Sequence, residues 1–520
     1  MRVVDCNTSF GIGDVSPAAL LGELEQHRIA QAWTYSRRGL HLADEGNAET
    51  LAVAARHPVL TPVATIDPHQ PHGLESEIAR CLRAGMRLFR LFPLAHRWRL
   101  DSQPFLNMLE HLRGSGAVLL LPVEEWGEAS TIARLTADAQ LPVVLMGVHY
   151  TQLAECCAVM RRWPHLHAGT SRLATPNDVE RLVREVGADR LLFGSEAPER
   201  PVQCALNHIW YADIADADRA AIFGGNAARL LDGHTDSSVA DSAPPRATGL
   251  LDAQAGPSAA GAPEPDAAPP VRSPVPIVDV HAHLGRVFLM AEGSVEALMA
   301  NRAKYNIQTM IVSSIDAIAY DLEAGNRQTR EAIGTHAWLY GYVVADPNYL
   351  AASAAELARY AGETKFVGVK IHGEYSRTPT ASPRMHALFA EIARHGKPVK
   401  IHNAGEGWDH ALVAYAREFP QLRIIIAHAG PGAPSPEAID AATRADNIYL
   451  EFCSTYPTRG LIREAITRAG VEKILFGSDQ LLIDPAYVLG AYQDARLTDY
   501  EWEQIAWRNA CWLFGLPMPQ

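Results

Sequence analysis

The chain has 520 residues, of which 48% are hydrophobic and 20% charged, and a formal net charge of -13. That length exceeds one ordinary core and predicts two domains of about 230–250 residues each. The acidic balance excludes a phosphate-binding basic face, and no apolar run approaches the roughly eighteen residues of a membrane span. Neither a nucleic-acid nor a membrane partner is therefore expected.

The N-terminal MRVVDCNTSFGIG reads as a strand running into a loop, without the charged-then-apolar layout of a signal peptide. Seven cysteines, at 6, 81, 156, 157, 204, 453 and 511, include no CxxC pair. This is the usage of reduced thiols and predicts a cytoplasmic protein. Residues 233–274 are rich in Ala, Pro, Ser and Gly, a composition that cannot offset its ordering entropy, and predict a flexible linker. The domains are then expected at 1–232 and 275–520.

The two halves repeat one another. VVDCNTSFG matches IVDVHAHLG, Asp67-Pro68 matches Asp346-Pro347, and GMRLFRLFP matches VGVKIHGEY. LPVVLMG matches LRIIIAH, LLFGSE matches ILFGSD, and NAARLL matches NACWLF. The offset is 283 residues both for Glu196 with Asp479 and for Asn226 with Asn509. A near-constant offset marks a duplicated domain.

In the second copy the predicted strands are, in order, PIVDVHAH, TMIVSSI, YGYVVAD, FVGVKIH, PVKIHN, RIIIAHAG, IYLEFC and ILFGSD. Helical patterns such as SPRMHALFAEIARHG and TRGLIREAITRAG lie between them, the latter ending at glycine as a C-cap does. Continuous apolar strands alternating with helices predict a parallel sheet buried on both faces, and eight of them predict a closed (β/α)8 barrel in each half. An open doubly wound sheet is the alternative, disfavoured because no Gly-rich phosphate turn follows a strand.

Chemistry-bearing residues recur at the strand ends, where such barrels carry their sites. His281 and His283 end the first strand with the same parity; His372, His402 and His428 end the fourth, fifth and sixth; Glu451 lies on the seventh and Asp479 ends the eighth. One strand-end histidine is ordinary core, but five with carboxylates in one mouth are costly to bury unless a cation organises them. Imidazole with one carboxylate suits Zn²⁺ or a similar divalent ion. Lys370 shares the parity of His372 and reads either as a lysine paired with a carboxylate such as Glu451 or as a functional group. Glu374, Glu406 and Trp408 are candidate pocket residues on loops, and Asp279, matched by Asp5, reads as structural.

This set of strand-end residues resembles the amidohydrolase superfamily, and more narrowly its branch of aminocarboxymuconate-semialdehyde and resorcylate-type decarboxylases. The resemblance implies His281, His283, His402 and Asp479 as ligands of one divalent metal, Zn²⁺ first, with Mn²⁺, Fe²⁺ or Co²⁺ as alternatives. It implies His428 and Asp479 as the catalytic pair that handles the protons of a metal-activated water, with Lys370, His372 and Glu451 as possible substrate or supporting groups. Some superfamily members carry a carboxylated lysine bridging two metals at the strand-four position, which makes that a further reading of Lys370. The expected reaction is hydrolysis of a small amide, lactone or ester; decarboxylation of a small aromatic or muconate-type acid is the alternative, and a non-catalytic scaffold is the alternative of another class. Compact loops after the strands tilt the reading towards hydrolysis.

The first copy has Asn7 and Ser9 for the two histidines, Leu121 or Pro122 for His402, Gly147 for His428 and Glu196 for Asp479. It is expected to be a degenerate barrel without a metal site, and His149 does not obviously restore one. Because this branch commonly forms dimers, the first copy is expected to pack on the second as a pseudo-dimer, with further self-association possible. One of Arg87, Arg90, Arg97 or Arg99 is a candidate to reach the catalytic pocket, against the plainer reading of a solvated basic face.

Overall fold

The computed structural model describes residues 1–69, 73–232, 273–286 and 292–519; most of the expected linker, 233–272, lies outside the described residues. The first half forms an eight-stranded parallel sheet in sequence order. Its strands are β1 Val4–Phe10, β2 Gln31–Ser36, β3 Leu60–Thr65, β4 Leu88–Arg90, β5 Val118–Pro122, β6 Val143–Met146, β7 Leu166–Gly169 and β8 Leu191–Leu192. The second half repeats this with β9 Ile277–Arg286, β10 Glu292–Gly293, β11 Ile307–Ser314, β12 Leu339–Val344, β13 Phe366–His372, β14 Val399–His402, β15 Ile424–Ile426, β16 Ile448–Glu451 and β17 Ile474–Leu475. All eight predicted strands of this half are present; β10 is an added two-residue antiparallel partner of β9.

Both sheets curl back on themselves. The Cys6 amide donates to the Phe193 carbonyl (2.8 Å) and the Val280 amide to that of Phe476 (3.0 Å), so last and first strands meet in each copy. Each barrel is thus a (β/α)8 unit, filled by apolar side chains such as Val63, Leu88 and Val144 in the first and Val280, Ile311 and Tyr342 in the second. The predicted helices follow their caps. Ser382 accepts from the Met385 amide to open Pro383–Ala393, and Gly470, with φ 95°, ends Leu461–Ala469 where only glycine turns left without strain.

Strand register corrects one matched block. Thr65 pairs with Arg90 as Val344 pairs with Lys370, and Arg90 pairs with Leu120 as Lys370 pairs with Lys400. Arg90 therefore stands at the place of Lys370, and Phe92 at that of His372, two residues from the alignment the motifs suggested. A shift of two preserves side-chain parity, so the hydrophobic pattern could not reveal it. Packing supports the register: a Cβ on Gly368 would meet the Tyr342 ring at 2.8 Å, whereas the first barrel puts Leu88 beside the smaller Val63.

The barrels touch through equivalent helices. Val202–Trp210 of the first packs against Pro485–Asp494 of the second, the two starting 283 residues apart. Each of these helices is thus met by its counterpart from the other copy. Asn207 Nδ2 donates to the Ala486 carbonyl (3.0 Å) and Gln493 Oε1 (2.9 Å). His27 Nε2 meets Asp494 Oδ1 at 3.0 Å, and the Arg459 guanidinium donates to Glu23 (3.0 Å) and the Pro198 carbonyl (2.7 Å). Ser273, at the expected linker's end, is buried and accepts from the Trp502 indole (3.0 Å).

His27 and His208, the latter on Val202–Trp210 with its ring 6.0 Å from that of Tyr487, carry a pH dependence. Burial alone would depress His27, but Asp494 and Glu23 raise it to about 9; His208, buried against Asp178 (2.6 Å), is likewise raised to about 9. A group raised above its unfolded value of about 6.5 contributes stability that is complete below that pH and lost as pH rises through the folded value. The melting temperature is expected to fall between about pH 7 and 9, and the His27→Gln/His208→Gln pair should flatten that fall; an unchanged profile in the double variant would sink the assignment.

Candidate functional site

The mouth of the second barrel holds a cavity of about 260 Å³ lined by His281, His283, Lys370, His372, Glu374, Tyr375, His402, His428 and Asp479. The structure thus gathers the strand-end residues predicted from sequence, Glu451 lying beneath His281. Of the loop candidates Glu374 lines the cavity; Glu406 is exposed away from it and Trp408 is buried at the start of a helix.

Hydrogen bonds on one face of each ring orient the imidazoles. His281 Nδ1 lies 2.7 Å from Glu451 Oε2, His283 Nδ1 3.2 Å from the Ser313 carbonyl, and His428 Nδ1 2.9 Å from the Cys453 carbonyl. A carbonyl only accepts, so the Nδ1 of His283 and His428 carries the proton and Nε2 keeps its lone pair. The Nε2 atoms of His281 and His283 converge on Asp479 Oδ1, at 3.2 and 3.0 Å. His402 Nε2 lies 3.1 Å from Glu374 Oε2 but out of line, leaving this buried nitrogen without a hydrogen-bond partner. Two imidazole nitrogens beside one carboxylate, with the unpartnered His402 nitrogen lining the same cavity, form a donor set that could hold a divalent ion.

The electrostatics agree. Burial alone would raise Asp479, but its neighbours His283, His428 and Lys370 hold its carboxyl well below the usual range. Burial, then His402 and Lys370, opposed by Asp479, push His428 down to about 3, so it is a neutral acceptor at physiological pH. His372 is depressed by burial and stacks on His402 with ring centroids 4.0 Å apart. His428 and Asp479 have φ of 59° and 57°, a left-handed backbone costing about 1–3 kcal/mol at a non-glycine residue.

Lys370 is fully buried, and its Nζ donates to His281 Nε2 at 3.0 Å; the expected partner Glu451 is instead bound to His281. A second buried lysine, Lys400, escaped sequence reading because it lies inside a short strand, without strand-end position or motif. Its Nζ donates to the Val280 carbonyl (2.6 Å) above the Tyr342 ring. Burial, eased by Lys400, raises Glu451 to about 7. Glutamine at 451 keeps an acceptor for His281 but not its charge, and should weaken metal binding about 10–100-fold with the fold intact; equal affinity in a metal titration would deny Glu451 that role.

The first barrel shows what becomes of these positions. Register places Asn7 at His281, Pro122 at His402, Gly147 at His428, Leu120 at Lys400 and Gly169 at Glu451. The left-handed turn persists, eased to glycine at Gly147 and retained at Glu196 (φ 64°). Asp5 and Asp279 hold the same structural bonds, each accepting from the serine that follows the last strand, Ser195 or Ser478.

Two residues of the first half enter the second cavity, His149 and Tyr150. His149 stacks on Tyr456 (centroids 5.3 Å, 29°), its Nε2 is buried without a hydrogen-bond partner, and burial with Arg172 and Arg200 lowers it to about 4. None of Arg87, Arg90, Arg97 or Arg99 lines this cavity. Arg87 binds the carbonyls of Leu82 and Met86, Arg99 pairs with Asp101 in solvent, and Arg90 faces its own barrel. No described helix is long and apolar enough to cross a membrane, and all seven cysteines are free and buried.

No curated protein matches the chain. Among solved structures it is similar to 2,6-dihydroxybenzoate decarboxylase from Rhizobium (15% identity, 46% of this chain and 99% of that one, TM-score 0.39). It is similar to a dihydroxybenzoic acid decarboxylase from Polaromonas sp. JS666 with bound manganese (17%, 46% and 97%, 0.38). A third is a protein from Acinetobacter baumannii assigned as a 2-pyrone-4,6-dicarboxylic acid hydrolase (17%, 46% and 100%, 0.36). The amidohydrolase family model matches residues 13–233 and again 278–516. The chain belongs to the amidohydrolase family, whose enzymes use a divalent metal, and carries that domain twice.

Proposed function

We propose that the second barrel is a metal-dependent hydrolase of a small, uncharged amide, lactone or ester. His281, His283, His402 and Asp479 would hold one divalent ion, with Zn²⁺ the first choice for a site rich in imidazole. When bound, such an ion acidifies water and polarises a carbonyl. His428, neutral and with Nδ1 committed to the Cys453 carbonyl, is suited to take a proton at Nε2. Asp479, kept ionised, is suited to accept that proton from His428 and release it to the leaving group. Tyr150, Tyr375 and Tyr456 narrow the mouth and shield it from water.

The observation that carries hydrolysis over decarboxylation is the character of the lining. It consists of imidazole, phenol, hydroxyl, aliphatic and carboxylate groups (Glu374 and Asp479), and among the described residues its one amine, Lys370, is spent on His281. No described lining residue offers the guanidinium fork that recognises a substrate carboxylate. We read the first half as the pseudo-dimer partner that completes this wall with His149 and Tyr150. The test is a panel on the metal-loaded full chain: turnover of small lactones, esters or amides is expected. Release of CO₂ from hydroxybenzoates or muconate-type acids would reverse the reading, and neither activity nor metal uptake would return the protein to a scaffold.

A further inference from the structure

The mouth of the first barrel is not filled in. It keeps a cavity of about 180 Å³ lined by Asn7, Tyr35, Arg90, Phe92, Arg172 and Glu196, with Ser9, Glu124 and Glu199 at its edges. Arg90 replaces Lys370 and makes the corresponding contact, its Nη1 donating to Asn7 Oδ1 at 2.5 Å as the lysine donates to His281. The cation is kept where the imidazoles are lost.

No carboxylate pairs directly with that cation, although Glu196 and Glu124 feel its charge. Among the described residues no carboxylate lies within 4 Å of Arg90, and its Nε is buried without a hydrogen-bond partner. Glu196 is committed elsewhere, Oε1 to Arg172 Nε (2.9 Å) and Oε2 to Arg200 Nε (2.5 Å), while Glu199 pairs with Arg37 (2.6 Å) and Glu124 is exposed. The guanidinium lies 5.1 Å from the Tyr35 ring centre and 5.3 Å from that of Phe92. A part-buried guanidinium beside two rings, facing a cavity, matches a flat carboxylate that can take two parallel hydrogen bonds.

The same residues reach the other barrel. Arg200 lies 5.0 Å and Arg172 5.8 Å from the centre of the Tyr456 ring, and Arg200 Nη1 donates to the Thr455 carbonyl (3.3 Å). Tyr456 and Thr455 both line the second cavity. An anion beside Arg90 competes with Glu196 for Arg172, and so alters the support of Tyr456.

We propose that the metal-free mouth of the first barrel binds a small aromatic carboxylate on Arg90, and that occupancy is transmitted to the second cavity through Arg172, Arg200 and Tyr456. The probe is benzoate, titrated calorimetrically into the full-length protein. One binding event is expected that weakens about tenfold or more in Arg90→Gln, recovers in part in Arg90→Lys, and survives in His281→Ala. Binding unchanged in Arg90→Gln, or lost in His281→Ala, overturns the site. Saturating benzoate should change hydrogen exchange over residues 452–458 in wild type but not in Arg90→Gln; unchanged exchange in wild type overturns the transmission. Neither readout uses turnover, so both stand apart from the hydrolase reading.

Discussion

Alanine at both His281 and His283 is expected to leave a folded protein without stoichiometric metal and without measurable turnover. The two Nε2 atoms and Asp479 Oδ1 form a triangle with two sides of 3.2 and 3.0 Å, and the double substitution removes two of its corners. What remains, His402 and Asp479, is too few donors for a transition-metal site. Folding should survive, because the side chains project into the mouth while the strand is held by ladder bonds and by Asp279, which accepts from the His281 amide (3.0 Å). Elemental analysis beside a circular dichroism melt checks this; metal retained at one equivalent would remove both histidines from the ligand set.

Leucine at Gly490 is expected to cost about 3 kcal/mol or more and to part the barrels. A Cβ there would lie 2.5 Å from the backbone nitrogen of Cys204, and backbone cannot swing aside as a side-chain tip can. The milder Asn207→Ala, which removes one buried and one part-buried hydrogen bond to the opposite helix, should cost about 1–3 kcal/mol. Both should raise KM more than they lower kcat, since the wall bearing His149 and Tyr150 moves while His281, His283, His402 and Asp479 do not. A Gly490→Leu protein with unchanged melting and KM would show that the junction bears no such load.

The fold was legible because two periodicities coincide. Alternating apolar runs and helices place eight strands in the second half, and the duplicated motifs extend the inference to the first. The site was legible where chemistry sits at strand ends: His281, His283, His402, His428 and Asp479 do meet. Three things escaped, each for a physical reason. Lys400 is a strand-interior residue whose inward direction is shared by ordinary core positions. Arg90 was aligned two residues from its true partner, a slip that parity cannot detect. His149 was noticed but sought in its own barrel, whereas it faces the neighbouring one; contacts across a junction leave no periodic trace in a sequence.

The seating of His149 and Tyr150 has a kinetic meaning. In a dimer assembled from separate chains, a wall supplied by the neighbour disappears as the protein is diluted below its association constant. Here the neighbour is tethered, and its effective concentration is fixed by the connecting chain rather than by the amount of protein present. Specific activity should therefore hold constant on dilution, and either half is free to diverge without dragging the other's surface along with it.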